Sequence, residues 1–169
     1  KGSLLIDWPS QEVQSGMIDP VPERGATKQD HVSDEEAAKV AKRFIDDHFP
    51  WALPAKQSIS RVGPHDEARL VSLRRYKDDV MMPMRMDVVI RPGGRVASFA
   101  ARHVKDPALP KVRISRSQAV DAASVALDGH PVASSVLLAA RDEQGRWRPY
   151  WMITPKDVVQ DGAVMDGVP

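Results

Sequence analysis

The sequence predicts an α+β protein, an antiparallel β-sheet with helices packed against it. Two observations carry that expectation. Near the middle of the chain, apolar runs at 84–90 and 96–101 flank the adjacent glycines Gly93 and Gly94, and such a pair marks a tight hairpin because the turn needs positive φ. Two helical patterns, each opened by a serine cap, precede stretches that read as strand pairs.

Residues 1–31 mix Trp8, Pro9, Gly16, Pro20, Pro22 and Gly25 with polar residues. They hold no sustained period of 2 or 3.6, so a flexible N-terminal tail is expected. Leu4-Leu5-Ile6 is the one stretch there able to add a short edge strand or dock on the domain. At Val32 the character changes. Ser33 and Glu36 have the spacing of a capping box, and Ala37, Val40, Ala41, Phe44 and His48 then fall on one face at helical spacing. Pro50 ends the run, giving a helix over 33–49.

Residues 57–62 and 68–76 read as a strand pair across Gly63-Pro64-His65-Asp66-Glu67. The polar corner Lys77-Asp78-Asp79 leads through Val80-Met81-Met82-Pro83 into the hairpin. Pro83 has no N–H to donate and is expected at a strand start or an edge. With Gly93-Gly94 as a two-residue turn, Arg91 faces Val96, Val89 faces Ser98 and Val88 faces Phe99. The dry side then collects Met84, Met86, Val88, Ile90, Ala97, Phe99 and Ala101, and the wet side Arg85, Asp87, Arg91, Ser98 and Arg102.

After a loop carrying Pro107 and Pro110, Ser115 and Gln118 repeat the capping-box spacing and open a helix over 115–128. Ala119, Ala122, Ala123 and Ala126 give it a stripe of small residues, suited to close approach to a sheet. Gly129 and Pro131 stop it. Strands at 132–140 and 147–154 follow, turned at Asp142-Glu143-Gln144-Gly145. The expected organisation is therefore a tail (1–31), a first helix-plus-sheet unit (32–113) and a second, shorter helix-plus-strand-pair unit packed with it (114–169).

Val32-Ser33-Asp34-Glu35-Glu36-Ala37-Ala38 and Ile114-Ser115-Arg116-Ser117-Gln118-Ala119-Val120 share an apolar residue, a serine cap, an acid or amide at the third helical position and alanine in register. Duplication of a helix–sheet unit explains this, and so does convergence, since any well-capped alanine-rich helix looks alike. From about Arg74 to Ile153 the chain resembles the PepSY and fungalysin/thermolysin-propeptide-like modules of secreted bacterial proteins. The residues that carry the resemblance are Arg75-Tyr76-Lys77-Asp78-Asp79, the strand Asp87-Val88-Val89-Ile90, the turn into Gly94-Arg95-Val96-Ala97-Ser98-Phe99, the helix opening Ile114-Ser115 with Gln118-Ala119-Val120, and the aromatic closing strand Trp147-Arg148-Pro149-Tyr150-Trp151-Met152-Ile153. The resemblance implies a cystatin-like fold and an extracytoplasmic, non-catalytic module associated with peptidase inhibition or peptidase pro-regions. Two departures stand beside it. The glycine often found before the family's central strand is missing from Asp79-Val80-Met81-Met82-Pro83, and no peptidase domain follows.

Composition bounds the function classes. The chain has 169 residues, 42% hydrophobic and 28% charged, with a net charge of +1 and no cysteine. No strong field demands nucleic acid or a membrane surface, and disulfides and thiolate metal sites are excluded. No apolar run approaches the roughly 20 residues of a membrane span. The chain opens on Lys1-Gly2-Ser3 rather than on methionine, as a trimmed or processed chain would, which leaves room for a lost leader. The five histidines, His31, His48, His65, His103 and His130, include no pair at i,i+4, and neither the zinc-hydrolase pattern nor a Gly-x-Ser-x-Gly motif occurs. Hydrolytic and redox activity are expected to be absent, and no cofactor is expected.

Two function classes follow. The first is a binding module that engages a protein or peptide, a peptidase among the candidates, through a sheet edge, face or loop. Its candidate contacts are Tyr76, Met81 and Met82 at the start of the central strand and Trp147, Tyr150 and Trp151 on the closing strand. Arg102 and Lys105 would steer an acidic partner. Against these stand a core role for the aromatics and plain solvation for the basic loop. The second class is a small-ligand-binding or enzymatic cystatin-like protein with a pocket between helix and sheet. It calls for ionisable residues facing inward on the strands, and the predicted dry side of the hairpin has none.

Overall fold

The computed structural model describes residues 2–7, 9–18, 31–63, 66–127 and 129–156. The expectations for 19–30, His65 and Asp128 lie outside them. The architecture is α+β with antiparallel strands. The chain divides into two compact units, Lys1–Pro107 and Ala108–Pro169, so the boundary precedes the one expected after residue 113.

The first unit begins with strands, not a tail. β1 (Gly2–Ile6) and β2 (Val13–Ile18) form an antiparallel hairpin, and β2 pairs with a later strand. β1 is the edge strand that Leu4-Leu5-Ile6 was able to add, whereas sequence pattern hid β2, which carries a glycine at its centre. Gly16 is there for a reason: a Cβ on it would lie 2.4 Å from the Phe99 ring, its cross-strand partner. α1 (Asp34–His48) follows, with Ser33 accepting from the Glu36 N–H at 3.1 Å. Its buried face is Ala37, Ala41 and Ile45, with Val40 and Phe44 at the margin. Ile45, not His48, completes the stripe, since 37, 41 and 45 stack at i,i+4 and His48 turns to solvent.

β3 (Lys56–Val62), β4 (Ala68–Lys77), β5 (Val80–Arg91) and β6 (Arg95–Arg102) complete the sheet of this unit, in the order β1-β2-β6-β5-β4-β3. The long strand β5 alternates without a break, burying Val80, Met82, Met84, Met86, Val88 and Ile90. Of these, Met84, Met86, Val88 and Ile90 meet α1 together with Val71, Leu73 and Ala101, and each large buried one contributes roughly 1.5–3 kcal/mol by leaving water. Val89 faces Ser98 and Val88 faces Phe99 as expected, but Arg91 pairs with Arg95, not Val96. Pro92, with its fixed φ, takes the first central position of the turn and Gly93 the second, at φ 80°, closed by the Gly94 N–H to the Arg91 carbonyl at 3.1 Å. The loop is thus one residue longer, and a bulge between Val89 and Ile90 restores the register. Pro83 lies inside β5, not at its start, opposite the irregularity between Arg74 and Tyr76.

The second unit contains α2 (Arg116–Ala126) and the hairpin β7 (Val132–Arg141) and β8 (Trp147–Pro155). The capping box at Ser115 is complete: Ser115 Oγ accepts from the Gln118 N–H, and Gln118 Oε1 accepts from the Ser115 N–H at 2.9 Å. The helix ends at cap Leu127, earlier than 128. No residue of α2 is fully buried. In both units the helix packs on strands that follow it in sequence, an arrangement that duplication and convergence both produce.

Candidate functional site

The end of α1 turns its aromatic residues toward the N-terminal hairpin. The Phe49 N–H closes the helix on the Ile45 carbonyl at 2.7 Å, and the 3₁₀ turn Pro50–Ala52 then swings Trp51 alongside. Phe99 reaches the same place from β6. Its ring centroid is 5.3 Å from Phe44 and 5.1 Å from Phe49, and Phe49 meets Trp51 edge-on at 6.1 Å. All three phenylalanines of the chain converge here. With Leu4 and Val13 of the N-terminal hairpin they line an open cleft of about 920 Å³. Tilted and edge-to-face rings at these separations attract one another, with Phe49 itself part of the buried core and Phe44 and Phe99 half-buried against it.

The rim is ionisable. His103, just past β6, stacks on Trp51 at 4.5 Å with planes 17° apart. Its Nδ1 lies 3.0 Å from Glu12 Oε1, which ties the end of β6 to the β1–β2 hairpin. Asp7 closes the turn of that hairpin, accepting from the Ser10 hydroxyl at 2.6 Å, while the Asp7 N–H donates to the Glu12 carbonyl at 2.9 Å. His48 and Arg102 complete the polar wall. Among the described residues no three His, Asp or Glu side chains gather into a group able to hold a metal. The cleft can take apolar side chains or rings against Phe44, Phe49 and Phe99 and offer hydrogen bonds at its mouth.

Of the residues singled out from sequence, Arg102 lines this cleft and Lys105 does not. Tyr76 and Met81 face each other in the β4–β5 ladder, and the Lys56 ammonium sits 4.6 Å from the Tyr76 ring centre. Met82 is only 3% exposed and belongs to the interior. The expectation of an exposed Met82 fails because β5 already begins at Val80, which places 82 on the inward series. Tyr150 and Trp151 line a separate cleft of about 1000 Å³ inside the second unit, floored by Ala119, Ala122 and Ala123 of α2. The Trp151 indole N–H donates to the Ile114 carbonyl at 3.0 Å. Trp147 is half-buried beneath the Arg141 guanidinium at 5.0 Å.

Sequence reasoning missed Glu12, Trp51 and Leu4 as a site and assigned Phe44 and Phe99 to core alone. One signal was available: Phe44, His48, Phe49 and Trp51 crowd the helix end in a chain that is only 5% aromatic. What fold and site together define is a class, an α+β module with an aromatic cleft at the junction of helix and sheet. No family model, curated protein or solved structure matches the chain.

Proposed function

We propose that the chain is a non-catalytic, PepSY-like binding module of the bacterial cell exterior. Its first unit engages a protein or peptide partner, a peptidase among the candidates, by taking apolar side chains into the cleft between α1 and the β1–β2 hairpin. The observation that carries this reading is the convergence of Phe44, Phe49, Trp51 and Phe99 on one open cavity. Aromatic anchors of this kind supply much contact area for little ordering cost. Beside the cleft, β1 exposes Leu4 and Ile6 at 63% and 52%, apolar surface that extends the contact a partner makes.

The ionisable rim supports a second reading, a small-ligand pocket, because His103, Glu12 and His48 line one wall. One experiment addresses both. A random-peptide display selection on the full chain is followed by titration of recovered peptides against the parent and Trp51→Ala. Peptides with recurrent apolar or aromatic residues that bind at least tenfold more weakly to Trp51→Ala support the peptide reading. A selection with no enrichment, or binding that ignores Trp51, contradicts it. A fragment screen by ligand-observed NMR, displaced at the same cleft, would then favour the small-ligand pocket.

A further inference from the structure

On the face of the first unit's sheet opposite α1, three arginines stand at one level. The register sets Arg74 of β4 across from Arg85 of β5, and Arg85 across from Arg102 of β6. Directly paired residues project to the same side, and like charges so placed repel. Arg74 is compensated: its guanidinium lies 2.8 Å from the Asp87 carboxylate and also donates to the Leu73 carbonyl at 2.8 Å. Arg85 and Arg102 are exposed, and among the described residues neither has an ion pair or a side-chain hydrogen bond. Both line a cavity of about 370 Å³ shared with Ser15 and Gln14 of β2. Asp87 also borders it, ion-paired with Arg74 and accepting from its Nη2 through Oδ2 at 3.1 Å, while its buried Oδ1 accepts no hydrogen bond.

We propose that Arg85 and Arg102 form an oxyanion site that takes one doubly charged phosphate group, free or as a monoester. Two uncompensated guanidinium groups, each a planar fork of donors, match the charge and the oxygens of a phosphate dianion. The Ser15 hydroxyl and the Gln14 amide add neutral donors at the wall. A monoanion would leave one of the two cations unanswered. This site is independent of the aromatic cleft as a binding surface, although Arg102 borders both.

Isothermal titration of the full chain at low ionic strength tests it, with inorganic phosphate, glycerol 3-phosphate and acetate as probes. The expected result is saturable one-to-one phosphate binding, at least tenfold tighter than acetate. It should be weakened at least tenfold by Arg85→Gln and by Arg102→Gln and left unchanged by Arg43→Gln on α1. Either order of free phosphate and ester supports the site and identifies the source it serves. Thermal melts separate lost binding from lost fold: without phosphate neither variant should melt below the parent, since each relieves a like-charge pair, and phosphate should raise only the parent's midpoint. Non-saturable binding, acetate as strong as phosphate, or phosphate binding retained in the Arg85→Gln/Arg102→Gln double variant would overturn the proposal.

Discussion

Arg69 shows how a single side chain joins helix to sheet in the first unit. It is 8% exposed, yet its Nε donates to Asp34 at 2.6 Å and its Nη1 to the Asp66 and Ala68 carbonyls at 2.8 and 3.0 Å. Arg69→Ala strands those acceptors and removes a packed stem, so urea unfolding should show a loss of about 1–3 kcal/mol. Asp34 is 63% exposed, so Asp34→Ala should cost less than about 1 kcal/mol. In the second unit, Asp142 organises the β7–β8 turn, accepting from the Gln144 and Arg146 N–H groups at 3.1 and 2.8 Å. Its partial removal from water raises its pKa, but hydrogen bonds from the Arg146 backbone and side chain, the charge of Arg146 and a contact from Arg148 outweigh that and hold it below the ordinary aspartate value. A depressed folded pKa means the turn's contribution is complete above the unfolded carboxylate range and fades as pH falls through the folded value. NMR titration of the Asp142 carboxyl should therefore give a midpoint below that of an unstructured aspartate, and Asp142→Asn should abolish the pH dependence.

At the scale of elements, the parts legible in sequence were those with local causes. Ser115 and Gln118 announce a helix start because the cap is satisfied within four residues, and Gly93-Gly94 announces a turn because glycine adopts the positive φ angles there without steric cost. The exact register was not legible, since Pro92 competes with Gly94 for the turn and a bulge absorbs the difference. Neither β2 nor its pairing with β1 and β6 was legible. Its fit depends on Phe99 lying over Gly16, a partner more than eighty residues away in sequence. The alternation of β5 makes a separable prediction about neighbours. Met82→Ala opens space in a packed interior and should cost about 2–5 kcal/mol, whereas Met81→Ala, on the half-exposed series, should cost less than about 1 kcal/mol. Equal losses in thermal or denaturant unfolding would contradict the strand's facing.

At the scale of the molecule, two units each place a capped helix against an antiparallel hairpin or sheet, and each holds its own cleft. The candidate site was partly legible for the same reason as the fold. Arg102, Tyr150 and Trp151 stand out in the sequence by charge and aromaticity, and each lines a cleft. The aromatic cleft itself was not found, because it draws on the N-terminal hairpin, the helix end and β6, three segments that only the fold brings together. Glu12 and His103 meet at 3.0 Å across ninety residues of chain, and no spacing rule foresees that.

The claim that matters most is where a partner sits. Chemical-shift mapping of the full chain by aromatic and methyl NMR, during titration with a peptide recovered by display selection, locates it directly. The account predicts that the largest changes fall on the rings of Phe44, Phe49, Trp51, Phe99 and His103 and on the methyls of Leu4 and Val13, with Tyr76 and Trp147 unmoved. Changes centred on Tyr76 and Met81, or on Tyr150 and Trp151, with the phenylalanine cluster silent, would contradict it.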